Sequence, residues 1–190
     1  NKLLKEKEFA KAIDACELVI KHHPDEKRAY YFRGTIRFKL KHFVNAEYDF
    51  CTAIQLDREY ASAYRYRGVS KLNQNNVAGA MDDLNTAVIL RPDYHQAYHD
   101  RALIWFHSQE FEEAKKQVDL AIKFGKSKET KDDEQDGEKG QIPIDYLLTR
   151  GLISDELGDS GSASEDFAEV LRRRPSEREK IPDWYRGFGH

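Results

Sequence analysis

The sequence predicts an all-α protein made of successive helix pairs, because a period of 34 residues runs through it and small residues recur within that period. Two sets of small residues follow this interval: Ala12, Ala46, Ala80 and Ala114, and Gly34, Gly68 and Ala102. Small residues at fixed positions are expected where two helices approach closely. The mean hydropathy of -0.80 is low for a protein with one thick core and suits a thin structure with much surface.

The repeat register shifts once, after the fourth unit. Ala163 follows Ala114 by 49 residues and Gly151 follows Ala102 by 49, so one insertion of 15 residues explains both shifts. We interpret residues 1–190 as a single array of five units. The units lie at about 1–26, 27–60, 61–94, 95–126 and 144–177.

The insertion occupies about residues 126–143. From Lys126 to Gln141 it holds four lysines, six acidic residues, two glycines and no apolar side chain. Such a composition cannot bury itself, so we expect a solvated surface loop. A docking or modification segment that uses Ser127 and Thr130 is the alternative interpretation.

Each unit is expected to contain two helices, because larger apolar residues recur at three- and four-residue spacing on both sides of a short break. The breaks lie near Lys41-His42, Asn75-Asn76, Ser108-Gln109 and Gly158-Asp159. The apolar side chains of one unit bury too little surface to offset the conformational entropy of its backbone. Neighbouring units must therefore stack and share their apolar faces.

The repeated residues resemble the motif of the tetratricopeptide-repeat (TPR) family. The matching positions read Tyr30…Gly34…Ala46-x-x-x-Phe50, Tyr64…Gly68…Ala80-x-x-x-Leu84…Pro92 and Leu147…Gly151…Ala163-x-x-x-Phe167…Pro175. The sequence departs from the motif where Arg58 and Lys126 replace the closing proline and where Cys16 and Val118 replace the large aromatic. The resemblance implies a right-handed α-α superhelix of stacked helix-turn-helix repeats.

The sequence supports a separate prediction for each end of the array. In the repeat register Asn1 falls at the ninth position of the first unit, which suggests a fragment of a longer protein; a degenerate first unit is the alternative. Ser176 and Glu179 form a capping-box pattern, and a C-terminal capping helix is expected at residues 178–190. One face of that helix would carry Ile181, Trp184, Tyr185 and Phe188.

Composition and motifs argue against several classes of function. The 31 basic and 34 acidic residues give a net charge of -3, whereas nucleic-acid-binding proteins usually have a basic excess. The sequence has no membrane-spanning apolar run, no signal peptide and no C-x-x-C pair, and we expect a cytoplasmic protein. It has no catalytic motif, so we expect no enzyme activity and no cofactor. The pair His95 and His99 has a spacing that a metal could use, but we expect no metal site.

The family resemblance implies a non-catalytic scaffold for protein–protein interaction, an adaptor, co-chaperone or assembly factor. In that family the first helices line a concave groove that binds a partner peptide or helix. The positions that the resemblance assigns to the groove are Arg28, Tyr31, Phe32, Thr35, Lys39, Arg65, Tyr66, Asn73, Gln96, His99, Asp100 and His107. Alternative functions are single-stranded RNA binding through Tyr31, Arg65 and Tyr66, and self-association.

An arginine stands just before the small residue of four units, at Arg33, Arg67, Arg101 and Arg150. Sixteen residues later come Asp49, Asp83 and Asp166, with Gln117 in the fourth unit. We expect architectural ion pairs between the two helices of units two, three and five. Binding of an anionic ligand by these arginines is the alternative.

Overall fold

In the computed structural model of the protein, the described residues are 2–125 and 141–183, with side chains described from residue 7 onward. These residues form nine α-helices and one 3-10 helix, and they contain no strand. The helices are α1 (Lys2–His22), α2 (Lys27–Lys39), α3 (Phe43–Leu56), α4 (Ala61–Leu72), α5 (Val77–Leu90), α6 (His95–His107), α7 (Phe111–Gly125), α8 (Ile144–Glu156), α9 (Ser160–Arg173) and the 3-10 helix (Pro175–Lys180). None of the helices described here is both long enough and apolar enough to cross a membrane.

Four hairpins, α2–α3, α4–α5, α6–α7 and α8–α9, share one turn geometry. One residue in each turn has a positive φ, and the N–H of the next residue donates to the carbonyl five positions earlier, which is the Schellman way of ending a helix. The positive-φ residues are Lys41 (62°), Asn75 (62°), Gln109 (63°) and Gly158 (76°). The turns lie where the sequence predicts the breaks.

The second helix of each hairpin buries one stripe of three side chains, an alanine, a larger apolar residue and a third small or branched one. The stripes are Ala46, Phe50 and Ala53; Ala80, Leu84 and Ala87; Ala114, Val118 and Ala121; and Ala163, Phe167 and Val170, all 0% exposed. The spacing of four and then three residues places each stripe on one face of its helix. This stripe is the core of the hairpin.

The glycine of the first helix allows the two helices of a hairpin to approach closely. A Cβ on Gly34 would lie 2.7 Å from Cε1 of Phe50, and one on Gly151 would lie 2.5 Å from Cε1 of Phe167. Both rings belong to the buried stripe, so they have little room to move. The recurring small residue is therefore a steric requirement of the hairpin.

The chain divides into two compact parts, Asn1–Pro92 and Asp93–His190. In the N-terminal part, α1 packs against α2 and α3 packs against α4. The expectation of two helices in the first unit is wrong for the described residues, because α1 is one continuous helix from Lys2 to His22. The repeat register would place a turn near Lys7 and Glu8, 34 residues before Lys41 and His42, but Lys5 to Glu8 are strong helix formers and the helix continues through them.

In the C-terminal part, α7 packs against α8, and the 3-10 helix packs against α9. The end of the predicted insertion is attached to this core, because Ile142 packs among its apolar side chains and its carbonyl accepts a hydrogen bond of 2.6 Å from Nη1 of Arg173. Residues 178–180 of the predicted capping helix form 3-10 structure. Pro182 lacks the N–H that an α-helix would pair with the carbonyl of Arg178.

Ile181 is 1% exposed and packs in the core of α8 and α9. The other apolar residues of the predicted capping face, Trp184, Tyr185 and Phe188, lie outside the described residues. The same holds for residues 126–140 of the insertion, including Ser127 and Thr130.

Candidate functional site

Five aromatic side chains of the N-terminal part form a connected cluster, which we call the aromatic cluster: Tyr31, Phe38, Phe50, Tyr60 and Tyr66. The ring centroid of Tyr31 lies 4.9 Å from that of Tyr60 and 5.8 Å from that of Tyr66. Tyr66 stacks on the buried Phe50 at 5.7 Å and meets Phe38 edge-on at the same distance. Two groove candidates, Tyr31 and Tyr66, are thus half-buried and join α2 to α4.

The neighbouring Phe32 is different, because it is 55% exposed. Its ring centroid lies 5.8 Å from that of Tyr31, so it stands at the edge of the aromatic cluster and faces solvent. Arg28 and Lys39, one helical turn before and two turns after it, are exposed as well. These residues share a surface of α2.

The remaining candidates of the N-terminal part lie on the same two first helices. Arg65 of α4 is half-buried and places its guanidinium 5.2 Å from the ring centroid of Tyr66, an attractive cation–π contact. Thr35 donates its hydroxyl hydrogen bond back to the carbonyl of Phe32 (2.8 Å), and Asn73 donates its side-chain amide to the carbonyl of Val69 (2.8 Å). Asn73 is exposed at the end of α4.

The charge on these two helices has one sign. The segment of α2 contains five lysines and arginines and that of α4 contains three, and neither contains an acidic residue. Part of this charge is neutralised by aspartates of the second helices, as described below. Exposed Arg28 and Lys39 leave the α2 surface around Phe32 basic.

The four candidates of the C-terminal part lie on α6. Nε2 of His99 lies 2.9 Å from Oγ1 of Thr149, and the His99 ring stacks on Tyr146 at 4.4 Å. Both partners belong to α8, so His99 holds two first helices together. Gln96 and Asp100 are half-buried, and His107 is exposed.

Three arginines each meet the aspartate sixteen residues later, which ties together the two helices of their hairpins. Nη2 lies 2.7 Å from the carboxylate in Arg33–Asp49, 2.6 Å in Arg67–Asp83 and 2.7 Å in Arg150–Asp166. The Nε of each arginine donates to the same carboxylate. The aspartate side chains are 0%, 6% and 4% exposed, so these pairs are largely withdrawn from water.

The ion pairs raise the pKa of the arginines. For Arg67 and Arg150 the hydrogen bond to the aspartate is the main cause. For Arg33, burial acts in the lowering direction, but the hydrogen bond and charge of Asp49 outweigh it and the pKa is raised. The arginines therefore stay charged.

Sequence reasoning missed a second cation in two of these sites. Arg37 donates to Asp49 and Lys71 lies beside Asp83, each at 2.8 Å. Both follow the repeated arginine by four residues, which is about one helical turn. This spacing places them on the same face of the helix as the arginine and could have identified them as candidates for the ion pair. It also missed Glu17, which approaches Arg33 at 3.6 Å from α1, and Asp119, which approaches Arg150 at 3.7 Å from α7.

Comparisons with solved structures match this arrangement of helices. MamA from Desulfovibrio magneticus RS-1 superposes with a TM-score of 0.69 at 17% identity, covering 93% of this chain and 91% of that one. A thermophilic TPR protein from Thermus thermophilus gives 0.67 at 15% identity, covering 94% and 90%. The chain has the tetratricopeptide-repeat fold.

A third TPR structure carries a ligand. The first TPR of Spaghetti (RPAP3), bound to the HSP90 peptide SRMEEVD, gives a TM-score of 0.58 at 20% identity, covering 70% of this chain and 94% of that one. No protein-family model and no curated protein matches the sequence.

Within this TPR fold, α2, α4, α6 and α8 are the first helices of their pairs. Chaperone-tail clamps of the family need lysine, asparagine and arginine at set positions of these helices, whereas this chain has Tyr31, Thr35, Tyr66, Gln96 and Asp100 there. The contact of His99 with Thr149 shows that part of this surface is used for packing between α6 and α8.

Within residues 2–125 and 141–183, no group of three or more His, Cys, Asp or Glu side chains is arranged to hold a metal ion. His95, the other member of the histidine pair, has its Nδ1 2.9 Å from the hydroxyl of Tyr146.

Cys16 and Cys51 are both free thiols. Burial is the main cause that raises the pKa of Cys16.

Proposed function

We propose that this protein is a non-catalytic interaction scaffold that binds an acidic segment of a partner protein, a peptide or a helix, on the α2 and α4 surface of its N-terminal part. The single observation that carries the proposal is Phe32, which is 55% exposed on a helix with five cations and no acidic residue. An exposed aromatic ring on a basic surface is typical of a recognition site, since aromatic side chains and arginines dominate binding energies.

Three features support an acidic partner with an apolar anchor. Phe32 supplies the apolar contact, and the exposed Arg28 and Lys39 supply positive charge on the same helix. The aromatic cluster fixes the surface in place, because Tyr31 and Tyr66 pack on each other and on Phe50. A preorganised surface loses little entropy on binding. The HSP90 peptide SRMEEVD, bound by the TPR neighbour, is itself acidic with apolar residues.

We extend the proposal to the role and location of the protein. An adaptor, a co-chaperone or an assembly factor would each use such a scaffold. The two free cysteines, Cys16 and Cys51, support a reducing compartment such as the cytoplasm. Gln96, Asp100 and His107 are proposed as secondary contacts within the C-terminal part.

Single-stranded RNA is the rival ligand for this surface, because arginine and tyrosine are also the residues on which bases stack. The half-burial of Tyr31 and Tyr66 favours the protein partner, since both rings already pack against other aromatic side chains. Self-association of the chain is the third possibility, and sedimentation at several concentrations measures it directly.

The test measures binding of fluorescent acidic peptides that each carry one leucine or phenylalanine. The matched ligands are the same peptides with asparagine or glutamine in place of aspartate or glutamate. Phe32→Ala and Arg28→Glu are expected to weaken binding about tenfold each, the effect of one good anchor. Tyr48→Ala is the matched control, because Tyr48 is 68% exposed but lies on the second helix α3. Equal affinity for acidic and amide peptides, equal losses from Phe32→Ala and Tyr48→Ala, or tighter binding of oligouridine would refute the proposal.

A further inference from the structure

The α6–α7 hairpin differs from the three other hairpins in the chemistry of its buried polar site. Arg101 stands at the position of the repeated arginine, but sixteen residues later the chain has Gln117 instead of an aspartate. Within the described residues Arg101 makes no ion pair, and its buried Nε has no hydrogen-bond partner. The site retains the cation without the carboxylate that the cation binds elsewhere.

A second unsatisfied donor lies at the same place in the repeat. Trp105 follows Arg101 by four residues, the position from which Arg37 and Lys71 reach their aspartates at 2.8 Å. Its indole Nε1 is buried and, in the part of the chain that the structure describes, has no hydrogen-bond partner. Residues four apart lie on one face of a helix, so both donors are on the side of α6 that the other hairpins use for a carboxylate.

Gln117 does not replace the missing carboxylate. Its Nε2 donates to Oε1 of Glu113 at 3.2 Å, one turn earlier on α7, and its own Oε1 is buried without a partner among the described residues. Glu113 is in turn paired with Lys116 at 2.8 Å on the surface of α7. Three buried polar atoms at this site therefore have no partner within the described residues: Arg101 Nε, Trp105 Nε1 and Gln117 Oε1. Natural proteins rarely keep such a costly arrangement without a reason.

The pKa of Arg101 is shifted in the opposite direction from the pKa of the other three repeated arginines. Burial is the main cause that lowers its pKa, whereas the pKa of Arg33, Arg67 and Arg150 is raised by their aspartates. The ring of Tyr98, 5.8 Å from the guanidinium carbon, and the charge of Glu113 act in the raising direction, but they do not outweigh burial. Arg101 is partly exposed, which leaves a route from solvent to its side chain.

We propose that Arg101 and Trp105 bind a carboxylate of a partner protein, an aspartate or glutamate side chain that enters the α6–α7 hairpin and takes the place of the missing internal aspartate. A planar carboxylate fits because it already occupies the equivalent position in three hairpins of this chain and accepts two parallel hydrogen bonds from arginine. Gln117 supplies no carboxylate at this position, since its Nε2 donates to Glu113 and its Oε1 has no partner among the described residues. The inference shares one assumption with the proposed function, namely that the partner is a protein.

The Trp105 indole N–H provides the readout, because the chain has two tryptophans and Trp105→Phe assigns its NMR signal. The probe is the capped peptide Ac-Ala-Ala-Asp-Ala-Ala-NH2, with the asparagine version as the matched ligand. In the intact protein, the aspartate peptide is expected to give a saturable downfield shift of the Trp105 indole proton. The asparagine peptide at the same concentration is expected to give none.

A substitution at Gln117 separates the proposed site from other anion binding. Gln117→Asp supplies the carboxylate from within the hairpin, so it is expected to shift the indole signal without any peptide and to weaken the peptide response at least tenfold. Gln117→Asn, which has the same length without the charge, is expected to retain the response. Arg101→Met, which keeps an apolar stem, is expected to abolish it.

Several results would overturn the inference: no saturable shift in wild type, the same shift with both peptides, or an undiminished response in Gln117→Asp. A shift with free acetate but not with the aspartate peptide would mean that the site binds a small carboxylate and not a side chain of a partner protein, which would also overturn the inference. Phe32→Ala and Arg28→Glu affect only the N-terminal part, so they are expected to leave the Trp105 response intact. Failure of the proposed function and failure of this inference are thus observed separately.

Discussion

Removal of the Asp83 carboxylate is expected to destabilise the protein far more than the small change in side-chain volume suggests. Asp83 is 6% exposed and accepts hydrogen bonds from Nε and Nη2 of Arg67 at 2.8 and 2.6 Å, with Lys71 at 2.8 Å. Asp83→Ala leaves two cations, 18% and 17% exposed, without their counter-ion. Breaking a buried pair in this way costs about 3–5 kcal/mol.

We expect a value near the low end of that range, about 3 kcal/mol, because both cations retain some contact with water and Lys71 has a flexible stem. The assay is urea unfolding followed by circular dichroism. The matched control is Asp82→Ala on the same helix, since Asp82 is exposed and is expected to leave the unfolding free energy within about 0.5 kcal/mol. Equal effects of the two substitutions would refute the reasoning.

A double-mutant cycle tests whether the effect passes through the ion pair. Arg67→Met removes the main cation and keeps most of the stem. If the pair is the cause, Asp83→Ala combined with Arg67→Met is expected to cost clearly less than the sum of the two single changes, by about 1–3 kcal/mol. Additive costs would mean that Asp83 stabilises the hairpin by some other contact.

Further predictions concern turns, close packing and pH. Gln109→Gly is expected to stabilise the protein by about 0.5–1 kcal/mol in urea unfolding, because Gln109 has a φ of 63°, which glycine adopts without strain; a loss of stability would contradict this. Gly151→Ala is expected to lower the melting temperature, because the new Cβ would lie 2.5 Å from a buried ring carbon, whereas Gly161→Ala, with its nearest atom at 3.8 Å, is expected to be neutral or slightly stabilising. The hydrogen bond from Lys27 is the main cause that lowers the pKa of Asp57 in the folded protein. The pair therefore contributes above the ordinary aspartate pKa of about 4 and is lost as pH falls through the folded value. Asp57→Asn is accordingly expected to lose less stability than wild type between about pH 5 and pH 2 in urea titrations, and parallel losses would refute it.

The hairpins were predictable because their main constraint is steric and local in sequence. A residue such as Gly34 must be small wherever the ring of a residue such as Phe50 packs against its Cα. The small residues therefore recur with the period of the repeat and can be recognised in the sequence alone. The two helices expected in the first unit were not found. Lys7 stands at the register position of Lys41, which has a φ of 62°, yet α1 continues through it, so the register does not by itself end a helix.

The groove candidates were only partly predictable, because exposure depends on the neighbouring helix. Tyr31 and Phe32 are adjacent in sequence and about 100° apart on α2, which is enough to place one ring against Tyr60 and the other in solvent. The sequence shows that both are aromatic but not where Tyr60 will lie. Similarly, the sixteen-residue offset predicts the contact of Arg67 with Asp83. Whether Lys71 also reaches Asp83 depends on the conformation of its long side chain, which the sequence does not give.

In the function that we propose, the distribution of charge allows one fold to provide both a rigid scaffold and a binding surface. In the α2–α3 and α4–α5 hairpins the second helix supplies a buried aspartate, so the first helix carries several cations and still forms a stable pair. Arg28 and Lys39 lie on the exposed side of the same helix, α2. The α6–α7 hairpin has Gln117 in place of the aspartate, and the buried donors of Arg101 and Trp105 have no partner in the part of the chain that the structure describes. The same repeated position therefore forms an internal ion pair in three hairpins and, in the fourth, is the site that we propose for a carboxylate of a partner.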